Sequence, residues 1–333
     1  MSMQDRPAAA DRAAAQLLLI DGSLVDTLLA PDAVAAAVEE AFILHAERRG
    51  RVFPVVREAL PGGGIFGIKA GDVPDAGLLG FKAAGFWPAN RACGGEPHQA
   101  TIVLVDPATG RPRAIIDGNA VTTLRTGAAG GLGLRRLARP DSRSAVVFGT
   151  GVQARIQLRF ALDLMPSLAE VAYVSGDGRP DPGFEALFAG RCRIAHTGDR
   201  NGAVAVSDLV ITATPGPGAL FETDAVRPGT HLTCVGADTA GKRELPEGLL
   251  ARARLVVDDR VQARAIGEMQ WAPATSAIEL GDILSGKMAF QRAPGDITVF
   301  DMTGLALQDL TVGRLVFERA RAAGRGVAVP WAW

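Results

Sequence analysis

Tyrosine occurs once in this chain of 333 residues, cysteine three times and histidine four times, and aromatic residues make up only 5% of it. Each scarcity removes a class of reading. Cys93, Cys192 and Cys234 show no CxxC spacing, so they support neither a disulfide framework nor a zinc site and read as buried free thiols in a reducing cytosol. His45, His196 and His231 lack ligand spacing, His98 reads as structural, and no metal is expected. An excess of charge is missing too. Lys+Arg is 35 against Asp+Glu 36, a net charge of -1, which gives no electrostatic basis for nucleic acid or an anionic membrane surface. No stretch reaches the roughly 18 uninterrupted apolar residues of a membrane span. Residues 1–16, "MSMQDRPAAADRAAAQ", carry charges of both signs instead of a signal peptide's apolar core, and read as a frayed lead-in. The expectation is a cytoplasmic protein.

What is present is apolar material for more than one core. Hydrophobic residues make up 48% of the chain, and its length suits two domains. Three regions differ in texture. The first, 17–118, has a helical stretch at 32–50 followed by β-rich runs, "GIFGIKAG", "LLGFKAAGFW" and "ATIVLVDP", the last leading into a turn, "ATGRPRAIID". Strands in succession with tight turns predict an antiparallel sheet. The second begins near 119 with an Ala- and Gly-rich helix, whose small residues predict close helix packing and which Pro140 breaks. From 144 onward apolar runs at 145–149, 170–174, 192–195, 209–213, 231–235, 254–258 and 297–300 alternate with helical segments or long connections. That alternation predicts a parallel sheet covered on both faces. The third, 303–326, places Leu305, Leu307, Leu310, Val312, Leu315 and Val316 near helical spacing, an amphipathic helix expected to leave the sheet and return to the first domain.

"AVVFGTGVQARIQLRF" (145–160) sits at the start of the alternating region. Gly149, Gly151 and Ala154 fit GxGxxA between a strand and a helix. The first glycine permits the tight turn, the second lets the backbone approach a pyrophosphate, and the alanine lets the helix pack on the strand. Helix amides then face the phosphates, so a dinucleotide is expected here. Its type stays open. At the end of the second strand, Asp177 favours NAD, whereas Ser175 with Arg179 suits the 2′-phosphate of NADP.

Six blocks in order carry a resemblance over nearly the full length: "VVREAL", "LLGFKAAGFWPAN", "HQATIVLVDPATGRPRAIIDGNAVTTLRTGAAGG", "VVFGTGVQA", "VGADTAGKRELPEGLLARARLVVDD" and "ITVFDMTGLALQDLTVGRLV". The chain resembles the ornithine cyclodeaminase/mu-crystallin family, and within it the alanine dehydrogenase- and imine reductase-like members. The resemblance implies an α/β fold: a Rossmann nicotinamide-binding domain over 122–305, and an α+β substrate and dimerisation domain from 1–121 and 306–333, assembled as a homodimer. It implies NAD or NADP as cofactor, a small amino- or imino-acid substrate, and net hydride transfer between an L-amino acid and its imine or 2-oxo acid. A redox-neutral cyclodeaminase acting on a diamino acid such as ornithine is the alternative. By motif, Arg57 matches the family's carboxylate-binding arginine, Arg125 its second, substrate-binding arginine on the helix entering the Rossmann domain, Lys82 the catalytic lysine and Asp238 the catalytic aspartate. Thr126, Gly149, Thr150, Gly151, Val152, Gln153, Ser175, Asp177, Arg179, Thr214 and Thr303 form the expected cofactor-contacting set.

Elementary chemistry agrees with these roles. An arginine fork pairs with a carboxylate through two hydrogen bonds. Lys82 lies among Leu78, Leu79, Phe81, Ala83 and Ala84, where burial would lower its pKa toward proton transfer. Asp238 follows an apolar run, at a strand's carboxyl end, where a carboxylate can stabilise an iminium or activate water. The chain departs from many relatives at "GIKAGD", where Lys69 and Asp72 are expected to add charge to the substrate pocket, and at Trp87. Lys69 points to an acidic or polar substrate side chain.

Overall fold

A computed structural model describes residues 16–331; apart from Gln16, the lead-in lies outside them. The chain divides into two compact units. One takes the chain up to Thr122 and again from Ala306, and the other runs Thr123–Leu305.

The first unit opens with β1 (Gln16–Ile20), α1 (Gly22–Leu28) and α2 (Pro31–Ala46). Asp21 caps α1 by accepting from the Leu24 amide at 2.9 Å, and Pro31 starts α2 where its missing N–H costs nothing. The helix expected over 32–50 ends at Ala46, and Arg48 beyond it turns left-handed at φ 60°. Strands β2 (Arg51–Val52), β3 (Val56–Ala59), β4 (Ile65–Val73), β5 (Leu78–Phe86), β6 (His98–Val105) and β7 (Pro112–Asp117) follow. The stretch read as a turn after β6 holds β7: only its first residues turn, and the apolar "AIID" pairs back on β6. Helix α3 (Gly118–Leu137) then leads out of the unit.

The second unit contains β8 (Ser144–Phe148), α4 (Val152–Leu164), β9 (Glu170–Val174), α5 (Pro182–Phe188), β10 (Arg193–His196) and α6 (Arg200–Val206). It continues through β11 (Leu209–Thr212), β12 (His231–Cys234), α7 (Leu249–Arg252), β13 (Arg254–Val257) and α8 (Arg260–Ile266). It closes with β14 (Ala277–Glu279), α9 (Leu280–Leu284) and β15 (Thr298–Asp301). The chain re-enters the first unit as α10 (Ala306–Ala322) and β16 (Val327–Pro330).

Sheet order in the first unit is β16-β1-β7-β6-β5-β4-β2, with β3 also on β4. The sheet is antiparallel except that β1 runs parallel to β7, so it is mixed and not purely antiparallel. Helix α10 lies against one face. A Cβ at Gly71 or Gly80, which pair with each other, would press on Leu307 and Ala306 or on Leu310. The expected amphipathic pattern of α10 fails in its first half, where Gln308, Asp309 and Thr311 are buried along with the leucines. Strands β14 and β16, of three and four residues, are too short to stand out in the sequence.

In the second unit the order is β10-β9-β8-β11-β12-β15-β13-β14, all parallel. Alternate residues serve two cores. Val146, Phe148, Val210, Leu232 and Val299 face one, and Ala145, Val147, Tyr173, Leu209 and Ile211 face the other. Glycines of α3 admit their neighbours closely, as a Cβ at Gly133 would strike Phe300 and one at Gly127 would strike Ile156 and Phe160. The thiols are not uniformly buried. Cys234 on β12 is, but Cys192 is half-buried and Cys93 is exposed, because each lies beside a turn.

His231 on β12 is fully buried, with Nδ1 2.8 Å from the Thr298 hydroxyl and Nε2 3.2 Å from that of Thr233. Burial pushes its pKa down to about 3. The native state therefore keeps it neutral, while the unfolded chain protonates it below its ordinary value near 6.5. Its contribution is present above that value and is lost as pH falls toward about 3, with a slope of up to about 1.4 kcal/mol per pH unit. Denaturant titrations from pH 7.5 to 4 should show this loss. In His231→Gln they should show lower stability at neutral pH and a flatter acid limb; an equally steep limb would assign it to other groups.

Candidate active site

The carboxyl edge of the parallel sheet carries the glycine turn. After β8, Gly149 takes φ 100°, and a Cβ there would stand 2.6 Å from the Ala213 carbonyl oxygen. Only glycine serves. Gly151 begins α4 at φ -74°, no side chain caps it, and a Cβ there would meet nothing within 4 Å. Open space thus faces the amides of a 13-residue helix, a fit for a phosphate group. Ala154 is fully buried on the strand side. Thr150 and Gln153 are half-buried, Val152 is exposed, and the Arg155 Nε donates to the Thr150 carbonyl at 2.8 Å.

Strand β9 ends one residue before Ser175. Its buried hydroxyl donates to the Arg179 carbonyl at 2.6 Å and lies 3.2 Å from His196 Nε2, so it holds the turn. Asp177 accepts from the Arg179 amide at 3.0 Å, which holds its carboxyl below the usual range, and both side chains are exposed. Thr214 follows β11, with its methyl 3.7 Å from the Cβ position of Gly149. Thr126 is buried on α3, where its carbonyl accepts from Gln157 Nε2 at 2.8 Å. Thr303 is buried after β15, donating to Asp258 at 2.6 Å and accepting from Gln262 at 2.7 Å.

Asp238 lies in the loop after β12, with a side chain 39% exposed. Its Oδ1 accepts from Lys242 Nζ at 2.7 Å and from the Thr239 hydroxyl at 3.1 Å. Arg125 is buried on α3, with Nη1 2.8 Å from where Gly304 would carry a Cβ. Two buried acids that the sequence reading passed over brace this edge. Glu244 bonds Thr212, Thr214 and Gly236, and Glu268 accepts from the amides of Glu244 and Leu245 at 2.6 and 3.2 Å. Burial raises both carboxyls, Glu268 to about 7.

In the first unit, sheet register gathers three cations. Lys69 on β4 stands directly opposite Lys82 on β5, and Arg57 on β3 stands opposite Gly67, two residues from Lys69. Opposed residues and residues two apart share a face, so the three cations point the same way. Gly67 leaves room for Arg57, whose Cδ lies 3.1 Å from the position of a Cβ there. Lys82 is buried, and Nζ donates to Asp309 on α10 at 2.7–2.8 Å and to the Thr122 hydroxyl at 3.2 Å. Neither partner was anticipated. The apolar surroundings expected to act on Lys82 alone are answered by this carboxylate. Asp72 does not join Lys69: it is one residue out of phase, on the other face, paired with Arg51. Trp87 packs its ring against Gly85 and Gly64.

The model of the ornithine cyclodeaminase/mu-crystallin family matches residues 22–324. Iminosuccinate reductase of Paracoccus denitrificans is 34% identical over 330 residues, covering 92% of this chain and 98% of its own. The structure of an archaeal alanine dehydrogenase dimer with bound NAD superposes with a TM-score of 0.87 at 30% identity, covering 94% of this chain and 99% of the other. That of Thermococcus litoralis Δ1-pyrroline-2-carboxylate reductase with NADH and L-proline does so at 0.87 and 27% identity, covering 94% and 100%.

Gly151→Asp should weaken NADH and NADPH binding by roughly 10²-fold or more, because it sets a negative charge where phosphate would lie. Its melting temperature should barely move, since the Cβ enters open space. Gly149→Ala should instead destabilise by about 1–3 kcal/mol through backbone strain. Calorimetric titration and thermal melts separate the two; undiminished affinity in Gly151→Asp would place the phosphates elsewhere.

Proposed function

Because the chain belongs to the ornithine cyclodeaminase/mu-crystallin family, we propose that it is an NAD(P)(H)-dependent oxidoreductase interconverting a small L-amino acid with its imine or 2-oxo acid. The observation that carries this reading is the row of Arg57, Lys69 and Lys82 on one sheet face, with the carboxylate of Asp309 on the buried Lys82. A nicotinamide dinucleotide held at the glycine turn would supply the hydride chemistry at the substrate Cα. Arg57 pairs with the substrate carboxylate, and Arg125 is a second group for it. Lys82 Nζ gives or takes a proton at the substrate's nitrogen or oxygen, and Asp309 and Thr122 fix where that ammonium points. Asp238 stabilises the positive charge of an iminium or activates water against it. The glycine turn with Thr126, Thr150, Val152, Gln153, Thr214 and Thr303 would hold the dinucleotide, with Ser175, Asp177 and Arg179 as the residues that would meet its ribose.

Lys69 bears on the substrate side chain. A second ammonium, as on a diamino acid, would meet Lys69 beside Lys82 as like charge, whereas a side-chain carboxylate would be attracted. This favours net redox chemistry on an acidic or polar substrate over cyclodeamination. The sheet face opposite α10 presents half-buried Phe66, Ile68, Leu79, Phe81, Val103 and Ile115, a surface suited to a second copy. We therefore infer a homodimer, placed in the cytoplasm, where its free thiols stay reduced. No helix among the described residues is long and apolar enough to cross a membrane.

Absorbance at 340 nm over a panel of 2-oxo acids with ammonia or methylamine, using both cofactors, tests the reading. Stoichiometric NAD(P)H consumption is expected, greatest with oxaloacetate-like diacids; ammonia release from ornithine without an absorbance change would support the cyclodeaminase instead. Arg57→Ala should chiefly raise KM. Lys82→Ala and Asp238→Ala should cut kcat by about 10²–10⁴ with cofactor affinity retained. Lys82→Arg should not rescue, because a guanidinium does not readily release its proton. Near-normal kcat in both alanine variants would remove these residues from the chemistry.

A further inference from the structure

One buried carboxylate joins the loops that leave β11 and β12. Glu244 is 0% exposed. Its Oε1 accepts from the amide and hydroxyl of Thr214 at 2.7 and 2.8 Å, and its Oε2 from the Thr212 hydroxyl and the Gly236 amide at 2.6 and 2.8 Å. A carboxylate offers about four acceptor positions, and here each has a donor. The backbone adds to the tie. The Leu220 amide donates to the Glu244 carbonyl at 2.9 Å, Pro217 bridges to Arg243, and Glu268 holds the Glu244 and Leu245 amides. A Cβ at Gly236 would run into the Glu244 carboxylate and the Thr214 carbonyl, so the contact depends on glycine.

What this carboxylate holds is functional surface. Thr214 borders Gly149 of the glycine turn, and Gly236 stands two residues before Asp238. The far limb of the same loop is fixed separately. Gln270 Oε1 accepts from the Gly241 amide at 2.7 Å, and the Trp271 indole donates to the Lys242 carbonyl at 2.8 Å. Asp238 therefore rides on a loop clamped at both ends.

We propose that Glu244 is a positioning residue for this site. It sets the backbone that carries Asp238, and the amide and hydroxyl of Thr214, in register with the glycine turn, and so governs dinucleotide affinity and turnover without touching either reactant. The turnover half rests on the oxidoreductase reading above; the affinity half requires only that a dinucleotide binds. The chemistry demands a carboxylate. Each Glu244 oxygen faces a backbone amide that can only donate, so a glutamine, whichever way its amide is turned, sets an NH₂ against one of them.

The experiment compares Glu244→Gln, Thr212→Val, Asp238→Asn and the double variant Glu244→Gln/Asp238→Asn. Calorimetric titration with NADH and NADPH should show about 10- to 10²-fold weaker binding in Glu244→Gln, the size expected from an unsatisfied buried donor. Thr212→Val removes one donor and leaves the carboxylate and both amides, so it should show a smaller change in the same direction. In turnover, Glu244→Gln should lower kcat, and the double variant should be no slower than Asp238→Asn alone, because Glu244 acts through that loop. A purely structural role predicts a lowered melting temperature with unchanged cofactor affinity, or kcat losses that multiply in the double variant; either result overturns the proposal. If Glu244→Gln does not fold, Thr212→Val decides, and wild-type affinity and kcat in it overturn the proposal. If the native enzyme turns over nothing in the panel, the functional reading fails, and the affinity arm alone decides for or against Glu244.

Discussion

A buried ammonium must have an anion, and this chain brings one from 227 residues away. Lys82 and Asp309 have side chains 5% and 1% exposed and meet at 2.7 Å. Deleting either would strand the other's charge, at a cost of about 3–5 kcal/mol. The pair forms only if α10 lies close on the sheet, and the surrounding residues serve that approach. Gly71 and Gly80 leave no side chain between helix and strand, and Thr311 donates to the Ala37 carbonyl at 2.8 Å. Arg314 pairs with Glu40 at 2.6 Å, and Arg319 reaches the Leu28 carbonyl at 2.5 Å. The end of the chain is thereby fastened to α1 and α2, and the orientation of Lys82 Nζ follows from the fastening.

The second unit meets the converse problem. Loops leaving a parallel sheet expose amides that the strands no longer satisfy, and burying such loops requires acceptors. Acids at or beyond strand ends provide them. Asp258, just after β13, accepts from the Thr303 hydroxyl and the Gly304 amide; Asp301, at the end of β15, accepts from the Met269 amide at 3.2 Å; Glu268 and Glu244 hold the loop that bears Asp238. The crowding has an electrostatic consequence. Burial and the neighbouring Glu268 hold the Asp301 carboxyl well above its usual range, and burial does the same to Glu268. Rigid loops and perturbed acids thus share one cause.

Local rules made part of this legible. Uniformly apolar runs such as "AVVFG" and "LVITA" correspond to strands buried on both faces, and the glycine turn declared itself because Gly149 meets a requirement that other residues cannot, while Gly151 leaves open space before the helix amides. The ion partners were hidden by distance along the chain. Nothing near Lys82 names Asp309, although a carboxylate inside the apolar run "GLALQDLTVG" is itself a sign of a buried counter-ion. Glu244 was overlooked for a related reason, since a charged residue two places from Lys242 reads as solvated surface until the fold folds it inward. Asp72 was misplaced by proximity to Lys69; strand alternation alone would have separated them.

That alternation carries the last consequence. One face of the first sheet presents Arg57, Lys69 and Lys82, and the other presents Phe66, Ile68 and Phe81. A slip of one residue between β4 and β5 would exchange the faces, setting Phe81 under α10 and Lys82 on the apolar surface. Register is therefore part of the chemistry, and it is fixed at the turns. Between β4 and β5, Gly77 adopts φ 55° and its amide donates to the Pro74 carbonyl at 3.0 Å. Between β6 and β7, Gly110 adopts φ 75°, and Asp106 accepts from the Ala108 amide at 2.8 Å. The pairing that these exposed turns impose decides which side of the sheet the lysine occupies, and so whether α10 can supply its counter-ion.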